Sequence, residues 1–279
     1  MATQKNDAPG AGLVLGAAVL WGSVGPAQVL AASPLGPAAL GGWRLLLGGA
    51  VLWLFAVRNR SALRGLADRT VLRPLLVCAF STGLYQAAFL ASVSRTGAAL
   101  GTVIALGTAP VATGIFARIA TGERIGAAWV LSTAAAVAGC ALLLAPGSTV
   151  ADPLGLLLGL IAGTCYGVYT VFAKQLAANN PHVHPPTVAS VSLIIGAVPL
   201  TPWMILDNEG LFGDRTLGLI AWLALATTAA AYWLFSIGLA RASTTTVGTL
   251  SLAEPWPRRS SACCCSANTC HRRRLRAAP

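Results

Sequence analysis

The sequence predicts an all-α polytopic membrane protein built from two inverted five-helix repeats. One observation is composition: the 279-residue chain is 56% hydrophobic and 10% charged, with a mean hydropathy of +0.71. Soluble domains carry about 25% charged residues, so lipid must solvate most of this chain. A second is that apolar runs of about 20 residues, long enough to span a bilayer as helices, follow one another. The third is an internal duplication.

Two pairs of motifs separated by 145 residues indicate the duplication. Pro110, in LGTVIALGTAPVATGIFARIATGER, corresponds to Pro255 in LSLAEP, and the Trp-Gly pair at 21–22 corresponds to the Tyr-Gly pair at 166–167. Self-similarity at a fixed spacing is typical of repeat architectures. Five helices lie between equivalent positions. Because five is odd, we expect the second copy to enter the membrane upside down relative to the first.

Eight complete spans and the start of a ninth are predicted. They cover about residues 11–31, 37–57, 74–93, 97–118, 126–145, 154–174, 186–205 and 217–239, and the ninth begins near 242. The chain then divides into a cytoplasmic N-terminal tail (1–10), a first repeat (11–145), a linker (146–153), an incomplete second repeat (154–255) and a basic, Cys-rich tail (256–279). We interpret the first run as an uncleaved helix, because no small-residue cleavage site ends it.

Loop charge predicts a cytoplasmic N-terminus by the positive-inside rule. With that orientation the outside segments carry Arg95 and Arg215 alone. The inside segments carry Lys5, Arg58, Arg60, Arg64, Arg69, Arg73, Arg118, Arg124, Lys174 and Arg241. The expected location is the cytoplasmic (inner) membrane of a bacterium, a source that the Arg-, Ala- and Gly-rich composition suggests.

The tail after Pro255 is interpreted as the product of a frameshift. Its composition changes abruptly at Trp256, and residues 256–279 contain six arginines and no acid. Restoring one base before Trp256 and back-translating with G/C-rich codons gives an apolar run with a glutamate at position 268, 145 residues after Glu123. We therefore predict that the original reading frame continued into a tenth helix and that residues 256–279 are disordered.

Inverted repeats are typical of secondary transporters, whose substrates bind near the midplane where the copies meet. The residues LWGSVGP near the start, Arg44 in GGWRLLLGG, the segment from Pro110 to the Gly-Glu-Arg at 122–124, and LAEP resemble the EamA-domain family of the drug/metabolite transporter superfamily. The resemblance covers about residues 11–255. It implies ten helices in two halves, cytoplasmic termini, and export or exchange of small metabolites such as amino acids or drug-like compounds, often coupled to protons.

Polar and aromatic residues inside the apolar runs are the substrate-pathway candidates. Arg44 is foremost, because an intramembrane cation is expensive unless it is paired, hydrated or bound to a ligand. It could bind an anionic substrate group, or be a snorkelled structural arginine. The others could line a cavity or serve helix packing. They are Trp21, Ser23, Tyr85, Gln86, Tyr166, Tyr169 and Tyr232.

Glu254 is the one acid inside a predicted span and a candidate for proton coupling, although the equivalent residue in the first copy is Ala109. Burial raises the pKa of a carboxyl group toward neutrality. Pro110 and Pro255 are interpreted as structural motif residues of the two repeats, and the Glu254-Pro255 pair could serve mainly as a helix break. Glu123 and Arg124, at a cytoplasmic helix end, are expected to form a structural ion pair or an orientation signal; the alternative is a gate.

Other functional classes lack their sequence signals. The basic residues outside the tail lie in loops rather than on one patch, which argues against nucleic-acid binding. A phosphate-binding G-x-x-x-x-G-K-[ST] loop does not occur, which argues against an ATP-driven pump. No catalytic residue, metal ligand set or cofactor is predicted. The leading interpretation is an alternating-access exporter of a small polar metabolite. The alternatives are an inactive truncated transporter and, more remotely, an intramembrane enzyme. The oligomeric state is left open.

Overall fold

The computed structural model describes residues 8–58, 66, 68–122, 126–142, 152–180 and 183–242. Eleven α-helices make up nearly all of this part of the chain, in which no strand occurs. They are α1 (Ala8–Gly22), α2 (Val24–Ala31), α3 (Pro37–Val57), α4 (Arg69–Thr96), α5 (Ala98–Thr121), α6 (Ala127–Leu142), α7 (Pro153–Asn179), α8 (Pro185–Ala197), α9 (Thr201–Leu206), α10 (Asp214–Ala224) and α11 (Ala231–Arg241).

These helices form eight successive spans, numbered here in chain order. Seven of them, among the described residues, are long and apolar enough to cross a membrane. The first is α1–α2, the second to sixth are α3 to α7, the seventh is α8–α9 and the eighth is α10–α11. The fifth, α6, has 16 residues in the described part of the chain. The predicted all-α polytopic fold is confirmed. The predicted ninth span lies outside the described residues.

Capping groups decide where the helices begin and end. The α4 helix begins at Arg69, five residues before the predicted start at Pro74, because the Asp68 carboxylate accepts a hydrogen bond from the Thr70 N–H. A side-chain acceptor of this kind satisfies a free amide of the first turn. The α5 helix ends at Gly122, whose φ of +69° is left-handed and favours glycine. The helix therefore extends about three residues beyond the predicted end of the fourth span, to the Gly-Glu-Arg sequence.

Three spans are interrupted rather than straight. The first bends at Ser23, between α1 and α2, and the seventh passes through a 3₁₀ turn at Val198–Leu200. The eighth contains a π-helical turn at Leu225–Ala230. Turns of this kind inside α-helices often occur near functional sites. In the first and eighth spans the interruption lies near the middle of the span.

Contacts between the halves are reciprocal. The first span packs on the eighth and the third on the sixth; the second packs on the eighth and the third on the seventh. Repeat-equivalent spans are five apart in the chain. When each span is replaced by its repeat equivalent, the contact between the first and eighth spans becomes that between the sixth and third. In the same way, the contact between the second and eighth spans becomes that between the seventh and third. The second and seventh spans pack on each other, and there Gly49 meets its own repeat equivalent: a Cβ on Gly49 would lie 2.9 Å from Ile194 Cγ1. Two repeats related by a pseudo-twofold axis produce this pattern.

A row of glycines brings the sixth span against the third and fourth. Gly155, Gly159, Gly163 and Gly167 recur every four residues along α7 and so lie on one face. A Cβ on Gly163 would lie 2.4 Å from the Ala105 carbonyl oxygen of α5. Small residues permit this close approach of helices in lipid. The row therefore holds the second half against the first along one seam.

Candidate functional site: a one-sided cavity between the halves

A cavity of about 350 Å³ lies between the two halves. Its lining residues in α3 run from Pro37 to Arg44, near the start of that helix, and those in α4 run from Ser81 to Val93, near its end. Both stretches adjoin the end of the bundle that carries Asp207, which is called the Asp207 end below. The second half contributes Cys165, Tyr166, Tyr169, Tyr232 and Phe235. The cavity is therefore displaced toward the Asp207 end and lined mainly by the first repeat.

The polar wall of the cavity contains Arg44 and Gln86. The Arg44 Nε is buried and donates no hydrogen bond to any described residue. Within the described part of the chain, Arg44 also forms no salt bridge. Gln86 is 4% exposed and lines the same cavity. A Cβ on Gly41 would lie 2.6 Å from Gln86 Nε2. Since Gly41 is one helical turn from Arg44, the absence of a side chain there lets the amide sit close to the guanidinium-bearing face of α3.

The rest of the wall is a connected network of aromatic rings. Trp21 contacts Tyr232 and Phe235, with ring centroids 5.5 and 5.3 Å apart. Tyr166 lies 6.4 Å from Tyr85 and 6.2 Å from Phe235, again between centroids. The network is completed by the stacked pair Tyr85–Phe89, at 5.7 Å, and by Tyr169, 6.4 Å from Phe235. Aromatic pairs at such distances stabilise one another and hold their rings in fixed orientations.

A continuous apolar core closes the other side of this network. The rings of Trp21, Tyr169 and Phe235 belong to the same buried cluster as Leu75 and Leu239, which draws on the first, third, sixth, seventh and eighth spans. At that end of the bundle the Lys174 ammonium donates hydrogen bonds to the carbonyls of Leu239 and Ala242. It is called the Lys174 end below. The cavity is thus sealed toward the Lys174 end by packed side chains.

The Asp207 end is held by polar contacts between the halves. The Asp207 carboxylate accepts a hydrogen bond from the Gly36 N–H at 2.9 Å, and the hydroxyls of Ser33 and Thr216 lie 2.9 Å apart. Arg95, at the end of α4, forms an exposed salt bridge of 2.9 Å with Asp152, which caps α7. The hydrogen bond from Arg95 lowers the pKa of the Asp152 carboxyl. These contacts lie around the cavity and not within it.

The structure brings together most of the residues that the sequence singled out. Seven of the eight substrate-pathway candidates line the cavity: Trp21, Arg44, Tyr85, Gln86, Tyr166, Tyr169 and Tyr232. Ser23 does not. Its hydroxyl donates to the Leu20 carbonyl and accepts from the Trp222 indole, so it serves the bend of the first span.

Of the residues that the sequence analysis assigned to structure or to proton coupling, the structure describes Pro110. Pro110 lies inside α5, which continues through it to Thr121. Four residues lie outside the described part of the chain: Glu123, Arg124, Glu254 and Pro255. The expected ion pair, the proton-coupling acid and the helix break at Pro255 therefore stay predictions.

Sequence reasoning missed Phe89, Phe235 and Gly41. The two phenylalanines are single apolar residues in apolar runs, and nothing in the sequence distinguishes a cavity-facing ring from a lipid-facing one. Gly41 belongs to a Gly-Gly pair that the sequence offers as simple helix packing. The spacing of Gly41 and Arg44, three residues apart, was a signal that both face the same side of α3.

The chain is similar to a known family of proteins and to a curated bacterial protein. The profile of the EamA-like transporter family matches residues 8–145 and 153–256, so its two matches begin at the same 145-residue offset as the motifs. The chain is 37% identical over 246 residues to "Uncharacterized transporter YwfM" of Bacillus subtilis (strain 168), a match that covers 87% of this chain and 80% of that protein.

The fold has a counterpart among solved structures. One crystal structure superposes with a TM-score of 0.75 at 19% sequence identity, covering 90% of this chain and 86% of its own. Among the described residues no cluster of three or more His, Cys, Asp or Glu side chains could hold a metal ion. The matched segments together cover most of the sequence, and the chain belongs to the EamA-like transporter family.

Proposed function

We propose that this multi-pass membrane transporter is a secondary carrier that exports a small polar metabolite by alternating access. The observation that carries the proposal is the one-sided cavity between the halves. It contains Arg44 and Gln86, is lined by aromatic rings and is closed toward the Lys174 end by packed apolar side chains. A carrier must hold its substrate in a site that one end of the protein reaches at a time.

The orientation follows from loop charge. With the N-terminus in the cytoplasm of a bacterial cell, the Asp207 end faces outward and the Lys174 end faces inward. The conformation described above is then the outward-facing state. Rocking the halves about the contact between the second and seventh spans would open the aromatic layer toward the cytoplasm. Coupling to protons, for which Glu254 is the candidate, belongs to this proposal.

Metabolite profiling tests the proposal. Cells that express the chain should accumulate one or a few small polar metabolites in the medium, compared with cells that express Arg44→Gln at the same membrane level. The Arg241→Gln variant is the matched control, because Arg241 is an exposed arginine at the Lys174 end. Identical media from wild type and Arg44→Gln, with both proteins in the membrane, would contradict a transport role for the cavity.

A second candidate, an inactive truncated product, is favoured by one finding. The second family match is shorter than the first and ends at residue 256, where the composition changes. Resequencing the locus should then reveal an open frame that continues into a tenth helix. Export by a frame-restored gene but not by the 279-residue chain would establish the truncated product, and equal export by both would exclude it.

A further inference from the structure

We propose that the cavity binds an organic monoanion that carries one planar apolar group. Arg44 and Gln86 would bind the anionic group, and the aromatic network would bind the ring. This inference deepens the function proposed above and rests on it, since it names the class of substrate for the same cavity.

The charge of the cavity selects the sign of the ligand. Arg44 is the one cation among the described lining residues, which include no carboxylate. Its Nε is buried without an acceptor in the described part of the chain. A buried donor left unpaired is unfavourable, and more so when the group is charged. A single negative charge on the ligand would neutralise the site.

Gln86 is positioned to complete the anion site. The residue is buried, at 4% exposure, and lines the cavity together with Arg44. Gln86 reaches the face of α3 that carries Arg44 because Gly41 has no side chain. A Cβ on Gly41 would lie only 2.6 Å from the Gln86 Nε2. The amide can donate through Nε2 to the same anionic group that the guanidinium binds. The two groups together form a built subsite rather than a lone charge.

The aromatic network selects the rest of the ligand. Trp21, Tyr85, Tyr166, Tyr232 and Phe235 present ring faces and edges to the cavity from four spans. A planar apolar group would gain stacking and edge contacts there. Aromatic rings also attract cations. A cationic ligand, however, would share the cavity with Arg44, whose charge has no counterion among the described lining residues.

The volume limits the size of the ligand. At about 350 Å³, the cavity lies at the low end of the range of small-molecule sites, roughly 300–1,000 Å³. One ring and one anionic group suit that space better than a larger conjugate. The chemical class is therefore a small aromatic acid or a compound of the same shape and charge.

Three probes of matched size and a fourth that lacks the ring test the proposal without any transport step. Isothermal titration calorimetry of the full chain in lipid nanodiscs would compare phenylacetate, 2-phenylethanol, 2-phenylethylamine and acetate. We expect phenylacetate to bind at least about tenfold more tightly than each of the others. The alcohol and the amine lose the charge-assisted hydrogen bond to Arg44. Acetate keeps that bond and loses the contacts with the aromatic rings. The proposal is overturned if 2-phenylethanol or 2-phenylethylamine binds as tightly as phenylacetate, if acetate does, or if no probe binds.

Three variants assign the effect to the subsite. Arg44→Gln should weaken phenylacetate binding by about tenfold or more and leave 2-phenylethanol binding unchanged. Gly41→Ala should weaken phenylacetate binding severalfold by displacing Gln86. Gly218→Ala, whose Cβ would meet nothing within 4 Å, is the matched control and should bind like wild type. Equal losses of acid and alcohol binding in Arg44→Gln would mean a structural role for Arg44 and contradict the inference.

The outcomes separate this inference from the proposed function. Selective binding of phenylacetate without any exported metabolite would leave the substrate class standing and reject the transport activity. Export of a cationic or neutral metabolite, together with unselective probe binding, would reject the substrate class and leave the carrier standing.

Discussion

The two halves share one architecture but differ in the chemistry that they bring to the cavity. The first repeat contributes the charge and the amide, Arg44 and Gln86. The equivalent positions of the second repeat, 145 residues later, are Ala189 and Ala231, which are 1% and 0% exposed. Helix packing is therefore duplicated and polar function is not. The repeat supplies a symmetric frame, and single substitutions in one copy supply the site.

The largest expected effect comes from the seam between the halves. In Gly163→Val the new side chain would begin 2.4 Å from the Ala105 carbonyl oxygen, an atom of the backbone that cannot move aside. Overpacking of this kind is unfavourable by about 1–3 kcal/mol, and a fixed backbone contact favours the upper end. Fluorescence-detected size-exclusion chromatography should lose the monodisperse peak. Gly218→Val, in open space, should keep it; loss of the peak in both variants would mean that any added bulk is harmful.

The next effect tests the chemical asymmetry directly. Arg44→Gln should lower the export rate by at least about tenfold, since the anion loses a charge-assisted hydrogen bond. Arg44→Lys should retain part of it, because a lysine keeps the charge but not the planar fork. The control is the equivalent position: Ala189→Ser should export normally. If Arg44→Gln fails to insert into the membrane and Arg44→Lys transports fully, Arg44 has a structural role instead.

The smallest effect concerns an exposed contact that one repeat has and the other lacks. Arg95 pairs with Asp152, whereas the position equivalent to Arg95 is Ala240. Asp152→Asn should leave export unchanged and alter the melting temperature little, because water screens an exposed ion pair. The pKa of Asp152 is lowered below its usual value near 4, so the pair should persist from pH 8 to pH 5 and be lost only under more acidic conditions. A melting temperature that changes between pH 8 and pH 5 in wild type but not in Asp152→Asn would contradict this.

The fold could be predicted from the sequence more completely than the site. Runs of apolar residues, the glycine at 122 and the repeated motifs were enough to predict the spans and the duplication. In a lipid-solvated helix, however, the face toward lipid and the face toward the core are both apolar, so no periodicity identifies the inner face. Arg44 and Gln86 were recognisable because polar groups in apolar runs are rare. Three features depend on packing between spans, which no local sequence pattern reports. They are the hydrogen bond between Ser23 and Trp222, the place of Phe235 in the cavity wall, and the room that Gly41 leaves for Gln86.

The inverted arrangement of the halves is the central claim, and accessibility labelling tests it most directly. In a chain whose native cysteines are replaced, Ser61→Cys would report the segment 58–68 between the second and third spans. Asn208→Cys would report the segment 207–213 between the seventh and eighth spans, near the equivalent position of the second repeat. An impermeant maleimide applied to intact cells should label Asn208→Cys and should reach Ser61→Cys only after permeabilisation. Labelling of both cysteines from the same side would contradict the inverted repeats and the carrier mechanism that depends on them.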